Sequence, residues 1–189
     1  PVLGAFKPQF IVGQNRMFYS RLVFAGLWLG ALLCAPAQAA RSWEARVTHV
    51  SDGDTLWVQP LSGAQAQKIR LEGLDAPELC QRWGEEARAA LQGLLRGQVV
   101  QVQALNRDTY GRRLARIQWQ GRDVGHWLVL QGHAWSYTFQ GRTGRYDEAQ
   151  QQAQAQRRGV FSQSGTPLTP RQFRKRYGAC PLPQTGHAG

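Results

Sequence analysis

The sequence predicts an α+β protein built on a small closed barrel of five β-strands, with about three α-helices. Three features of the 189-residue chain lead there. Five short segments alternate apolar and polar residues with the two-residue period of a half-buried strand. Helical spacing is confined to one segment between the third and fourth strands and two after the fifth, whereas a doubly wound sheet alternates strand and helix throughout. The 150 residues from Ala40 onward suffice for one domain around a single core.

Trp43 to Val58 holds the first two strands, with Val47, Val50, Leu56 and Val58 as core points and the hairpin signal Asp52-Gly53 between them. The third strand runs from Gln65 to Leu74, led in by the Ser62-Gly63 turn and stopped by Pro77. Arg70, Glu72 and Leu74 alternate along it and are expected to share a face. Trp83 to Leu95 sets Ala87, Ala90, Leu91, Leu94 and Leu95 on one side of a helix that Gly97 closes. Val99 to Leu105 and Arg113 to Trp119 are the fourth and fifth strands, joined through Asp108-Thr109-Tyr110-Gly111. Val124 to Gln131 is a short helix ended by Gly132, and Tyr146 to Arg158 is a glutamine-rich one stopped by Gly159. From Ser162 the chain is rich in Pro and Gly and reads as loop or frayed helix, with a basic cluster from Arg171 to Tyr177.

The N-terminal residues stand apart from this domain. Met17 and Arg21 precede an apolar run from Leu22 to Ala35, followed by Pro36-Ala37-Gln38-Ala39. A positive n-region, a short apolar stretch and an Ala-x-Ala site read as a signal peptide at residues 17–39, cut after Ala39. The apolar run is shorter than the roughly 20 residues that span a bilayer. No membrane span is therefore expected after cleavage, and the protein is placed outside the cytoplasm, secreted or periplasmic. Residues 1–16, ahead of the only methionine, are set aside as upstream sequence. A domain at 40–163 and a C-terminal tail at 164–189 complete the division.

The whole chain carries a formal charge of +11; residues 40–189 hold 20 Lys and Arg against 12 acids, or +8. All those basic residues except Lys68 and Lys175 are arginines, whose rigid fork of donors matches phosphate oxygens. A polyanionic partner is one reading of this balance, and a merely soluble basic surface is the other. Beyond the signal peptide two cysteines remain, Cys80 and Cys180. In an exported protein they point to one disulfide, with two free buried thiols as the alternative. Neither a CxxC nor a paired-histidine motif is present, which disfavours a zinc site.

Against this basic background, carboxylates gather in Ser51-Asp52-Gly53-Asp54-Thr55 and in Arg70-Leu71-Glu72-Gly73-Leu74-Asp75-Ala76-Pro77-Glu78. Carboxylate and carbonyl oxygens suit a hard cation such as calcium. Pro77 forces Ala76 into an extended conformation, which leaves the Ala76 carbonyl free to ligate beside Asp54 and Asp75. Glu78 is placed to take a proton from an attacking water. Arg70 and Arg112 are placed to hold a phosphate. Each segment alone is also ordinary turn chemistry or a surface salt bridge; the combination of metal ligands, phosphate binders and a spare carboxylate suits phosphodiester hydrolysis.

In these segments the chain resembles the staphylococcal nuclease (thermonuclease) family, as an exported bacterial member. The resemblance rests on Asp52-Gly53-Asp54-Thr55, on Ile69-Arg70-Leu71 through Leu74-Asp75-Ala76-Pro77-Glu78, and on Asp108-Thr109-Tyr110-Gly111-Arg112. Weaker matches follow at Leu130 to Ala134 and Gly159-Val160-Phe161. It implies an OB-fold barrel and calcium-dependent cleavage of DNA and RNA, single strands preferred, that leaves 3′-phosphates. It also implies Asp54, Asp75 and the carbonyl of Ala76 as calcium ligands, with Asp52 supporting them. Glu78 corresponds to the general base, and Arg70 and Arg112 to the arginines that hold the scissile phosphate. Tyr110 lies beside that phosphate. Tyr137 stacks on a base or, like Trp135 and Phe139 near it, packs in the core. Ala76 stands where the best-known member has threonine, a change a backbone ligand tolerates, and the Leu79 to Gly84 segment is shorter than that member's lysine-rich loop. A monomer is expected. A catalytically silent OB barrel that only binds single strands is the alternative.

Overall fold

Strands β1 (Ser42–Val50) and β2 (Thr55–Pro60) pair antiparallel across the Asp52-Gly53 turn. They open the described part of the structure, a computed structural model that covers residues 42–180 apart from 109, 139–140, 163–164 and 166. The upstream residues 1–16, the signal peptide expected at 17–39, Phe139 and the end of the tail lie outside the described residues.

Strand β3 (Gln67–Leu71) pairs antiparallel with β2, and the two-residue β4 (Leu74–Asp75) follows. Helix α1 (Gly84–Leu95) then leads to β5 (Val99–Arg107), which returns beside β1, and β6 (Arg113–Trp119) pairs with β5. Parallel pairing of β3 with β6 closes the five long strands into a barrel. Closure leaves those strands no free edge, and α1 with β5 supplies the long connection that a parallel pair requires. This is the five-stranded OB barrel of an α+β fold. Two short strands complete the pairing: β7 (Arg122–Asp123) beside β6, and β8 (Trp135–Ser136) beside β4.

The two-residue period decides what faces inward. Val47, Val50, Leu56, Val58, Ile69, Leu71, Val100, Val102 and Ile117 are all buried in one cluster. Helix α1 adds Leu91 and Leu95, one turn apart on its buried face. Burying each such leucine contributes about 1.5–3 kcal/mol. Helix α2 (Val124–Leu130) is capped by Asp123, whose carboxylate accepts from the His126 amide at 3.1 Å. Helix α3 (Asp147–Ala155) buries Ala149 and Ala153. A 3-10 turn at Gly159–Phe161 packs Phe161 edge-on against Trp135.

Two expectations are corrected. The third strand does not continue to Leu74. It ends at Leu71, and Gly73 at φ 84° turns the chain in a conformation that favours glycine. The turn resets the alternation: Leu74 enters the core, while Glu72 turns away to pair with Arg116 at 2.9 Å. Arg70, Glu72 and Leu74 therefore share no face.

The basic cluster, read as loop or frayed helix, is a fourth helix, α4 (Pro170–Tyr177). Thr169 and Gln172 form a reciprocal capping box, Pro170 occupies the first turn, and Arg174, Lys175 and Arg176 sit at the end favoured by the helix dipole. The Cys80–Cys180 disulfide and a 2.8 Å bond from the Gln81 side-chain Nε2 to the Leu168 carbonyl tie this segment to the loop after Glu78. Among the described residues no helix is long and apolar enough to cross a membrane.

Candidate active site

The site begins with a strand register. Thr55 of β2 lies opposite Arg70 of β3, so Asp54, one residue earlier, sits beside the Arg70 side chain. The Asp52-Gly53 turn is pressed against the start of β4 and helix α1. A Cβ at Gly53 would lie 2.8 Å from that of Ala76 and 2.9 Å from that of Ala87, so only glycine fits without displacement. Asp52 shapes the turn from within, its carboxylate accepting the Asp54 amide at 3.0 Å.

Asp54 and Asp75 converge on one cation. Arg70 donates through Nη1 to Asp54 Oδ1 at 2.6 Å and through Nη2 to Asp75 Oδ1 at 2.7 Å. Asp54 is 3 % exposed; its Oδ1 also accepts from the Thr55 hydroxyl at 2.8 Å and its Oδ2 from the Ala76 amide at 3.2 Å. These bonds join Asp52, Asp54, Arg70, Asp75 and Ala76 in one cluster.

Negative charge exceeds what a single guanidinium neutralises. Burial, reinforced by the charge of Asp54, pushes the Asp52 carboxyl up to about 7. Burial also raises Asp75, against the opposing pull of Arg70. Burial works against the charge of Arg70, but Asp54 and Asp75 more than offset it and hold the guanidinium protonated.

Glu78 joins this cluster through a residue the sequence did not single out. Arg174 of α4 pairs through Nη1 with Glu78 Oε1, and its Nη2 lies 3.7 Å from Asp75 Oδ2. The guanidinium of Arg174 therefore bridges the two carboxylates from outside, as that of Arg70 bridges Asp54 and Asp75 from within. The basic cluster around Arg174 was visible in the sequence; its partner, 96 residues away, was not. The one pointer was the Cys80–Cys180 pair, which brings the tail close to Glu78.

Arg112 stands across the groove rather than in the cluster. Its Nε donates to Asp108 Oδ2 at 2.7 Å and its amide to Asp108 Oδ1 at 2.9 Å. Asp108 also accepts the Tyr110 amide at 3.0 Å and so organises the turn. Slight burial opposes ionisation of Asp108, but its bonds from Arg112 hold the carboxyl below the ordinary value. Tyr110 is 83 % exposed, with the Arg112 guanidinium 5.4 Å from its ring centre. Tyr137 is 49 % exposed, whereas Trp135 is buried in the core.

Arg70, Asp75, Tyr110, Arg112, Tyr137 and Arg174 all line one groove of about 1550 Å³. Asp54 lies beneath this lining, and Glu78 reaches it through Arg174. The donors suit a hard cation: two buried carboxylates from different elements already aim at one positive charge, with the Ala76 backbone between them. Among the described residues no group of three or more His, Cys, Asp or Glu converges on a point where it could hold a metal ion.

Fold and site together define an OB-barrel protein whose acid and arginine cluster opens on a basic groove. The chain belongs to the family of staphylococcal nuclease homologues: the family model of that description matches residues 68–163. It is 34% identical over 130 residues to an uncharacterized endonuclease of Haemophilus influenzae, covering 69% of this chain and 72% of that one. Identity to an uncharacterized endonuclease of Escherichia coli O157:H7 is 32% over 162 residues, 85% of this chain and 99% of the relative. A micrococcal nuclease of Shigella flexneri is 33% identical over 142 residues, 69% of this chain and 79% of the relative.

Proposed function

We propose that the protein is a calcium-dependent nuclease that hydrolyses phosphodiester bonds of DNA and RNA, prefers single strands, and leaves 3′-phosphates. The convergence of Asp54 and Asp75 on Arg70, beneath a groove lined by eight basic and three acidic side chains, carries this reading. Membership of the family supports it, as do the endonuclease and micrococcal nuclease names of the relatives. The disulfide favours action outside the cytoplasm, in the periplasm or after secretion, and the proposed state is a monomer.

In this mechanism Asp54, Asp75 and the carbonyl of Ala76 would hold calcium, with Asp52 shaping the turn that presents Asp54. Bound there, the ion supplies positive charge to polarise the scissile phosphate. Arg70 and Arg112 present forks of donors, engaged here by Asp54, Asp75 and Asp108, for which phosphate oxygens are matched competitors. They stabilise the additional negative charge of the transition state. Glu78 takes a proton from the attacking water, whose oxygen bonds to phosphorus. The bond from phosphorus to the 5′ oxygen breaks, that oxygen takes a proton from solvent water, and Glu78 returns its proton to solvent. Tyr110 and Tyr137 offer exposed rings to the substrate on the walls of the groove.

The test is cleavage of single-stranded DNA with calcium, with magnesium and with a chelator, alongside Glu78→Ala. Cutting that requires calcium and is largely lost in the variant supports the reading. DNA that is bound but uncut under every condition would replace it with the second reading, an OB barrel that only binds strands. Binding in either case weakens as salt rises, because neutralised phosphates release counterions.

A further inference from the structure

We propose that helix α4 is a second phosphate-binding wall of the groove. Arg171 and Lys175 take backbone phosphates of a strand that extends past the scissile position, and Arg174 docks the helix on Glu78 and Asp75. The inference rests on the nucleic-acid reading of the groove and goes beyond the residues assigned to hydrolysis.

Position is the first argument. Arg171, Arg174 and Lys175 follow the i, i+3, i+4 spacing that places side chains on one helix face, and all three line the groove that holds Arg70 and Arg112. Arg174 is engaged by two carboxylates. Arg171 and Lys175 have no ion-pair partner among the described residues, so their charge faces the groove unneutralised.

The surplus of charge in the groove is the second argument. Its three acidic residues are all matched already: Glu72 by Arg116, Asp75 by Arg70 and Asp108 by Arg112. Asp75 also meets Arg174, and none is left to answer Arg171 or Lys175. An uncompensated basic wall of this kind attracts a polyanion. The groove also exceeds the roughly 300–1,000 Å³ of a small-molecule site, which fits a strand of several nucleotides.

The helix is held by ties rather than by packing. An eight-residue helix is marginal by itself, and Pro170 is the only buried residue of α4. Little apolar packing fixes it to the barrel. The Cys80–Cys180 bond, the Gln81–Leu168 hydrogen bond and the Arg174 ion pairs hold it instead. These fastenings surround the loop next to Glu78, so the basic face is carried to the edge of the site.

The test measures binding of a fluorescent single-stranded 12-mer and of a dinucleotide to the protein in chelator, where no cutting occurs. Arg171→Ala combined with Lys175→Ala is expected to weaken 12-mer binding by roughly tenfold. The slope against salt is expected to fall by about 1.4, or about 0.7 for each phosphate no longer neutralised. Dinucleotide binding stays unchanged. Arg96→Ala with Arg122→Ala, two exposed positions outside the groove, controls for net charge. Replacing both cysteines with serine, with folding checked by circular dichroism, is expected to reproduce the weakening on the 12-mer. A double variant at 171 and 175 that binds the 12-mer like the wild type, or weakens no more than the control pair, overturns the inference. A protein that cuts nothing with calcium while still showing the weakening at 171 and 175 keeps α4 as a binding wall and removes the hydrolytic reading.

Discussion

Asp54 and Arg70 are sixteen residues apart in sequence and 2.6 Å apart in the structure. The hairpin-like pairing of β2 with β3 brings them together, and the same guanidinium reaches Asp75 beyond the Gly73 turn. One arginine thus holds the two carboxylates proposed to bind calcium at a common point.

Truncation of Arg70 is therefore expected to act twice. Arg70→Ala leaves Asp54 buried without its cation and Asp75 with Arg174 alone, a loss of about 3–5 kcal/mol for a buried pair, and it removes a phosphate donor worth roughly 10²–10³ in rate. Unfolding and cleavage of single-stranded DNA measure the two effects separately. Wild-type stability and rate in this variant would remove Arg70 from both roles.

Calcium is expected to raise the melting temperature progressively, with the logarithm of its concentration once above Kd. Stabilisation by a ligand that binds only the folded state reaches about 2.7 kcal/mol at a hundredfold excess over Kd. Asp54→Asn and Asp75→Asn should each abolish the rise, and a chelator should reverse it. A wild-type melting curve indifferent to calcium would count against the metal assignment.

His133 predicts a pH dependence at a distance from the site. Burial pushes its pKa below the usual 6.5, and Nδ1 accepts the Trp83 indole N–H at 3.3 Å, which requires that nitrogen unprotonated. The folded state therefore keeps the ring neutral where the unfolded chain protonates. The contribution is fully present above pH 6.5 and declines as pH falls from there through the lowered folded value. His133→Gln should flatten this part of the stability profile measured by denaturant unfolding; an unchanged slope would show that another group carries it.

Gly53→Val tests the close approach beneath the turn. Its Cβ would stand 2.8 Å from the Ala76 Cβ and 2.9 Å from the Ala87 Cβ, and its methyls need still more room. Overpacking of this kind costs about 1–3 kcal/mol, and the shift falls on Asp52, Asp54 and Ala76 together. The variant is expected to lose calcium affinity as well as stability, as read by calorimetric titration and melting. Stability lost with calcium affinity retained would separate the turn from the metal site.

Much of this architecture was legible from short-range pattern. Val47, Val50, Leu56 and Val58 announced two core-facing strands because every second side chain of a strand points the same way. Asp52-Gly53 marked their hairpin, and Ala87, Leu91 and Leu95 marked the buried face of α1. Periodicity misled where a backbone feature interrupted it. Gly73 at positive φ ended the alternation assumed for Arg70, Glu72 and Leu74. Helix α4 starts at Thr169-Pro170-Arg171-Gln172, inside a stretch whose Pro and Gly read as loop or frayed helix.

Periodicity and turn chemistry act over a few residues, and that range is enough to dictate most of the buried positions and the hairpin turn. It also shows which carboxylates and arginines stand near the turns. Which of those charges meet is a property of the folded barrel. Closure set Asp54 and Asp75 around Arg70 and Arg112 across the groove, and the tail fastened by Cys80–Cys180 delivered Arg174 to Glu78. Such pairings depend on strand register and on a crosslink spanning 100 residues, long-range constraints that no local periodicity encodes.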